Sequence, residues 1–518
     1  MKKLVLLLCA ISVVNSARIL GYFYIPSISH QFVFRSLMKE LSLRGHNVTF
    51  ITPNPLRDPH LTNLNEIDIS DAYNSFKKYD FSQIGRSYGL HRTNRLINDF
   101  NEDVARIEME NEKVQELLKK PSDSFDLILV EPHFPFLFGL RRKFNAPLVA
   151  VSSLGVSSYY HYLVGNPTHP VLFPDLLSEK LGPLSNIIDK IDSLYVTIFW
   201  AISSEISIFP RAEIVAAKYF GETGPSIKEL IRETSLWLLN ANPIFSDRRP
   251  NVPNVVEFFN IHMERNESYP KDLKQILDNA KEGVVYFSLG TNVRFDHVQG
   301  DVKKNIMAAL GDLPYTVICK WESESIEGQP KNVHLRKWLP QQAVLAHPNV
   351  KVFITQGGLQ SSEEAIINAV PLVVIPFLGD QPLNAKILKS NGMAETISPK
   401  ELNRELLRDT ILTVARKENY RQRAKELRDI FLDQPQSGVD KVVWWCEYVI
   451  RHKGAKHLRS PAADISLYHY FMIDVIAVFI LSFYLTFKII QLVFAIIVGL
   501  FRRKPAEAEV SRKKKKKN

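Results

Sequence analysis

Two hydrophobic periods alternate along the chain. Positions 18–25 are an almost unbroken apolar run, the mark of a buried strand, and 26–29 read as a turn. Along 30–44, Val33, Leu37 and Leu41 recur at four-residue spacing, which places them on one helix face. Gly45 suits the helix stop, and 47–52 is the next strand. Strand, helix and strand in that order predict a βαβ unit and hence a parallel sheet. Short apolar runs at 125–130 and 147–151 extend it. The stretch 194–209 is unusually apolar. It fits either a core helix or one that rests on a membrane and admits lipophilic molecules.

Pro243, Pro250, Pro253 and Pro270 then mark a linker. Beyond it the alternation resumes, with strands predicted at 284–289, 316–320, 350–355 and 371–377. Helices are predicted at 302–310, 360–368, 381–390, 402–431 and 439–452. The pattern gives an α/β chain with an N-terminal domain over 18–245, a linker over 246–270 and a second doubly wound domain over 271–452. A length of 518 residues suits two such cores better than one.

Two further apolar runs lie outside this alternation. Lys2 and Lys3 precede the run 4–14, and Asn15, Ser16 and Ala17 follow it, the layout of a secretory signal over 1–17. Residues 471–501 are apolar except for Asp474, Ser482, Thr486, Lys488 and Gln491. About 20 apolar residues cross the hydrocarbon of a bilayer, so this stretch suffices, and Lys488 can snorkel towards an interface. Arg502, Arg503 and Lys504 open a basic tail, 502–518, which the positive-inside rule assigns to the cytosol. The expectation is a single-pass membrane protein with its body in the lumen. Lys515 and Lys516 fit a dilysine retrieval signal for the endoplasmic reticulum. Asn47 and Asn266 begin glycosylation sequons, and Asn266 is preferred because Asn47 enters a strand expected to be buried.

The net charge of +10 sits in that tail and in Lys2 and Lys3, so the body is close to neutral and has no basic footprint for nucleic acid. Of three cysteines, Cys9 lies in the signal, and Cys319 and Cys446 form no disulfide framework or zinc cluster. GxGxxG, Walker, HExxH and GxSxG patterns are absent, and no two aspartates are separated by a single residue. An Asp-x-Asp metal clamp on a sugar nucleotide is therefore missing.

Residues 353–365, Phe-Ile-Thr-Gln-Gly-Gly-Leu-Gln-Ser-Ser-Glu-Glu-Ala, run from strand through a Gly-Gly turn into a helix N-terminus. Such a turn is an anion site, because backbone N–H groups and the helix dipole face the ligand. Gly357 and Gly358 allow close approach, and Glu364, one turn in, can accept both hydroxyls of a ribose. Ser361 and Glu364 equally spell a capping box. Asp380 and Gln381 follow the next strand at the carboxyl edge where open α/β sheets bind ligands, although Asp380 could simply cap its helix. Trp338, in Trp-Leu-Pro-Gln341, offers an aromatic plane for a base or a side chain for the core.

From 353 to 381 the chain resembles the signature of UDP-glycosyltransferases: Thr-(His/Gln)-Gly-Gly, Ser, Glu, then Pro371, Pro376 and Asp380-Gln381. Trp338-Leu-Pro-Gln, Phe287-Ser-Leu-Gly-Thr, the signal, the late membrane helix and the basic tail are similar to family segments too, closest to the invertebrate branch. The resemblance implies a GT-B fold, two Rossmann-like domains facing a cleft. It implies that Trp338 stacks on uracil, Gln341 bonds its edge and Glu364 holds the ribose. Thr291, Gln356 and the Ser361 region would contact the diphosphate, and Asp380 and Gln381 the sugar. His30 matches the family's general base, and Glu131 stands where an aspartate usually orients it. Imidazole titrates near neutrality, and a helix N-terminus disfavours imidazolium, so the position suits a base. Gln356 replaces a frequent histidine, and Lys320 a usual arginine.

The expected activity is inverting, metal-independent transfer of a hexose, with glucose favoured over glucuronate, from a UDP-sugar to a hydroxyl of a small lipophilic acceptor. The UDP-sugar is a co-substrate, and no cofactor is expected. The rival is a degenerate membrane-anchored binder without turnover. Homo-oligomerisation is left open.

Overall fold

The computed structural model of the chain describes residues 16–502 apart from 80–88, 247, 264–267, 292–299, 322, 324 and 327. The signal up to residue 15, Asn266 and the tail from 503 lie outside the described residues. Ala17, read as the last signal residue, is buried and donates its N–H to Nδ1 of His46 at 3.2 Å, so the folded body includes it.

Among the described residues, the first sheet has seven parallel strands. They are β1 (Arg18–Tyr22), β2 (Asn47–Thr52), β3 (Leu64–Asp68), β4 (Leu127–Val130), β5 (Leu148–Ser152), β6 (Leu236–Asn240) and β7 (Val255–Phe258), in the spatial order β3-β2-β1-β4-β5-β6-β7. The second has six: β8 (Val284–Ser288), β9 (Thr316–Lys320), β10 (Val333–Arg336), β11 (Val350–Thr355), β12 (Leu372–Val374) and β13 (Ala394–Thr396), in the order β10-β9-β8-β11-β12-β13. Each sheet is apolar on both faces and covered by helices, as parallel strands require. In each, the winding reverses once, between β1 and β4 and between β8 and β11. Loops diverge at such a point and leave a crevice at the carboxyl ends of the strands.

Two expectations need correction. The stretch 246–270 is not a free linker, because β7 lies within it and closes the first sheet. The helix at Gly438–Arg451 follows the second domain in sequence but packs on the first. Its Val442, Val443, Cys446 and Val449 are buried in the same cluster as Phe34, Leu37 and Met38 of α1 (Ile28–Leu43). A Cβ on Gly438 would stand 2.0 Å from the Phe259 carbonyl oxygen, so only glycine permits that entry.

The apolar stretch at 194–209 belongs to α2 (Ile187–Ser203), which a π-turn joins to α3 (Phe209–Phe220). Val196, Phe199 and Trp200 are buried, but Ile187, Ile188, Ile191, Tyr195, Ile198 and Ile202 line an exposed face. It is therefore a half-buried helix with an apolar outer stripe rather than a core helix. Asn47 opens β2 and is itself exposed, while the five residues after it, Thr49 of the same sequon among them, are buried as expected of that strand.

Residues from Pro461 onward form a separate unit. Within it, the helix Ile473–Arg502 has a mean hydropathy of 2.1 and is long and apolar enough to cross a membrane. At 1.5 Å per residue its 30 residues exceed the ~30 Å hydrocarbon core.

Phe34 stacks on Phe23 with ring centroids 4.0 Å apart, and this contact seats α1 on β1. Phe34→Ala should cost about 3–5 kcal/mol of stability. Denaturant unfolding of the purified protein checks this, and a loss below about 1 kcal/mol would show that α1 is held otherwise.

Candidate active site

At the first switch point, the chain leaves β1 and turns into α1. Gln31 secures that turn: its Nε2 donates to the carbonyls of Phe23 and Ile25, at 3.2 and 2.9 Å, and its Oε1 accepts from Thr52 Oγ1 at 2.8 Å. His30 is thereby fixed in the first turn of α1. Glu131 follows β4 directly and is fully buried. Its Oε1 lies 3.0 Å from His30 Nδ1, and its Oε2 accepts the Ile25 N–H at 3.2 Å. Burial pushes the Glu131 carboxyl above its usual range, while His30 and the Ile25 N–H pull it back. As a carboxylate it only accepts, so it selects the neutral tautomer of His30 that carries its proton on Nδ1 and offers the Nε2 lone pair.

His133 was missed by the sequence reasoning, although Glu131-Pro-His133 places it two residues from Glu131. Its ring centroid is 5.9 Å from that of His30, and its Nε2 is 3.1 Å from Ser152 Oγ. Burial, with His30 adding to it, lowers its pKa to about 3, which keeps it neutral. His30, Glu131 and His133 offer ligand atoms within 4.8 Å of one another, the spacing of a three-ligand metal cluster.

The second switch point carries the other predicted residues. A cavity of about 110 Å³ is lined by Thr291, Trp338, Gln341, Gln356, Gly358, Ser361 and Glu364. Ser29 and Phe32 of α1, flanking His30, line it as well. Trp338 is 55% exposed and so is not a core residue, and Lys320 Nζ stands 5.5 Å from its ring centroid. Gln341, which opens α4 (Gln341–Ala346), donates through Nε2 to Ser361 Oγ at 2.9 Å and to Glu364 Oε2 at 2.7 Å. Its own Oε1 accepts from Tyr286 Oη at 3.1 Å. Gln342, also missed, reaches Glu364 Oε1 at 3.3 Å. The N-cap of α5 (Leu359–Ile367) is Gly358 with no side-chain capping bond, so Ser361 and Glu364 do not form a capping box.

Three predicted residues lie away from this cavity. Gly357 sits behind its wall at φ +84°, where a Cβ would be 2.7 Å from Val374 Cγ1. Asp380 lines a different cavity with Leu154, Leu359 and Asn384. It stands at the N-cap of α6 (Gln381–Ser390) but makes no side-chain capping bond, and instead accepts from Asn384 Nδ2 at 2.6 Å. Burial raises the Asp380 carboxyl, against the pull of Asn384 and of His30, which marks His30 as an electrostatic neighbour. The Gln381 side chain is turned inward: its Oε1 accepts the N–H groups of Phe377 and Leu378 at 2.9 and 3.1 Å.

The profile of the family described as UDP-glucoronosyl and UDP-glucosyl transferase matches residues 23–504. The chain belongs to that family. It is an enzyme of the UDP-glycosyltransferase class, transferring a hexosyl group from a UDP-sugar. It is similar to UDP-glycosyltransferase UGT5 of Dactylopius coccus, with 31% identity over 95% of this chain and 93% of the relative. The ecdysteroid UDP-glucosyltransferase of Spodoptera littoralis nuclear polyhedrosis virus is 30% identical, covering 94% and 98%. The rat (Rattus norvegicus) 2-hydroxyacylsphingosine 1-beta-galactosyltransferase is 28% identical, covering 92% and 88%. In fold the chain is similar to the crystal structure of Os79 from O. sativa in complex with UDP, at TM-score 0.56 and 17% identity, over 84% of this chain and all of that one. Its two sheets are thus the two Rossmann-like domains of a GT-B enzyme.

The two glycines of the turn differ in a testable way. Gly357→Ala forces a left-handed alanine and the contact with Val374, and should cost about 1–3 kcal/mol with loss of donor binding. Gly358 has φ −62° and nothing closer than 3.6 Å to a built Cβ, so Gly358→Ala should melt near the parent temperature. Equal melting temperatures for the two variants would contradict this account of the turn.

Proposed function

We propose that this enzyme transfers glucose, with inversion, from UDP-glucose to a hydroxyl of a small lipophilic acceptor. The observation that carries the reading is that Ser29 and Phe32, on either side of His30, line the same cavity as Trp338, Gln356 and Glu364. A base is thereby set against a nucleotide site. His30 Nε2 takes the proton of the acceptor hydroxyl as its oxygen attacks the anomeric carbon. The bond to the UDP oxygen breaks on the opposite face, and the anomeric configuration inverts. Glu131, buried against Nδ1, favours the imidazolium that forms. The charge that builds on the leaving UDP would meet the Gly358 turn and the amino end of α5, with Thr291, Gln356 and Ser361 beside it. Trp338 would take the uracil and Glu364 the ribose. Asp380 would meet the sugar hydroxyls, whereas Gln381 acts by holding the turn at Phe377 and Leu378.

Glucose is favoured over glucuronate by the names of the relatives, which include glucosyltransferases and a galactosyltransferase. A lipophilic acceptor and a bilayer setting suit the span at Ile473–Arg502 and the apolar stripe on α2. The body is proposed to be luminal in the endoplasmic reticulum, with the basic tail in the cytosol and Asn47 and Asn266 as candidate glycan sites.

Microsomes carrying the full chain should be offered UDP-glucose, UDP-galactose and UDP-glucuronate with phenols and steroid alcohols. We expect a β-glucoside, at a rate that a chelator leaves unchanged. Faster turnover of UDP-glucuronate would overturn the sugar assignment, and loss of activity in chelator would overturn the metal-free mechanism. Asp380→Ala should weaken UDP-glucose at least tenfold more than UDP, the scale of a lost hydrogen bond to a charged group. Equal losses for the two ligands would remove Asp380 from the sugar site.

A further inference from the structure

His262 follows β7 in the connection between the two sheets and is 2% exposed. Its Nδ1 lies 3.3 Å from Glu363 Oε2 and its Nε2 3.4 Å from Glu364 Oε1, and both carboxylates are buried. Gln342 Nε2 joins the same group, donating to the His262 carbonyl at 3.2 Å and to Glu364 Oε1 at 3.3 Å. Two adjacent glutamates withdrawn from water repel each other unless a cation or a proton lies between them. The imidazole occupies that place, with each nitrogen at ion-pair distance from one carboxylate but without hydrogen-bond geometry to either.

We propose that His262 is a positioning residue for the donor: it holds the Glu363–Glu364 pair of α5 so that Glu364 presents its carboxylate to the ribose of a uridine nucleotide. The proposal rests on the reading of Glu364 as the ribose ligand. His262 is absent from the residues lining the donor cavity, so it acts through Glu364. Because it belongs to the connection and not to the donor domain, the segment that joins the halves also sets the nucleotide site.

The charges that face His262 among the described residues are Glu363 and Glu364, both on α5. Gln342 of α4 and Asn240 of β6, which also face the group, are neutral. Burial works to lower the pKa of His262, but the two carboxylates outweigh it and raise it. Burial pushes Glu363 up to about 7, with His262 opposing the rise. The imidazolium is therefore present at lower pH and lost as pH rises, while Glu363 ionises above about 7. Both changes add negative charge beside Glu364, so donor affinity should fall as pH rises.

The test is calorimetry on the full chain in detergent, with UDP and 2′-deoxy-UDP as probes. A hydroxyl held by a carboxylate is worth roughly tenfold or more in affinity, so the parent should prefer UDP by about that factor. Glu364→Ala should erase the preference. His262→Gln should reduce it to within about threefold and weaken UDP about tenfold, with kcat at saturating donor within about threefold of the parent. If Glu364→Ala keeps the preference, or the parent has none, the ribose reading itself fails. If Glu364→Ala erases it while His262→Gln keeps it, the role of His262 is overturned. A pH series on the parent needs no variant to fold. Affinity for UDP-glucose, whose diphosphate does not titrate near neutrality, should fall at least about threefold from about pH 6.5 to 8.5 and stay level in Glu364→Ala. A level parent profile would overturn the proposal.

Discussion

A carboxylate removed from water at the end of a central strand needs a partner, and in this molecule His30 is that partner. The 3.0 Å contact between Glu131 and His30 depends on much else. β1 and β4 must be neighbours, so that Glu131 emerges beside the β1 turn. Gln31 must hold the turn, the Ile25 N–H must occupy the second carboxylate oxygen, and Phe34 on Phe23 must seat α1. An isolated buried ion would cost several kcal/mol, so these contacts and the dyad support one another.

The donor side follows the same rule with different residues. Reversal of winding between β8 and β11 opens a crevice, and the Gly357–Gly358 turn lets α5 begin there with its amide groups facing outward. Glu364, one turn into that helix, is also nearly buried, and Gln341, Gln342 and His262 converge on it. Each half of the enzyme thus places a carboxylate at its switch point and orients it through neighbours. The returning helix at Gly438–Arg451 packs on the first domain, so the chain crosses between the halves twice.

Much of this was legible in the sequence because it is local. Val33, Leu37 and Leu41 predicted the buried face of α1, and all three are buried. The strand–Gly-Gly–helix pattern at 353–365 located the turn and α5. What was missed depends on contacts between distant segments. The four residues of β7 are preceded by Pro250 and Pro253, whose breaker signal outweighed a short apolar run. The pattern at 439–452 predicted a helix but could not name the sheet it covers, since an amphipathic face does not specify its partner. His262 and Glu364 are 102 positions apart, and only the fold brings them to 3.4 Å. Asp380 and Gln381 have the family spacing, yet the structure gives them different tasks: one lines a cavity and the other ties its own turn.

The central claim is that His30 and Glu131 work as one unit, and a double-mutant cycle on kcat tests it most directly. His30→Ala should lower kcat by about 10²–10⁴, and Glu131→Gln should lose part of that factor. If the carboxylate acts only through the imidazole, the double variant should be no slower than His30→Ala within about threefold. Losses that multiply in the double variant would contradict the account, because Glu131 would then contribute by a route that does not pass through His30.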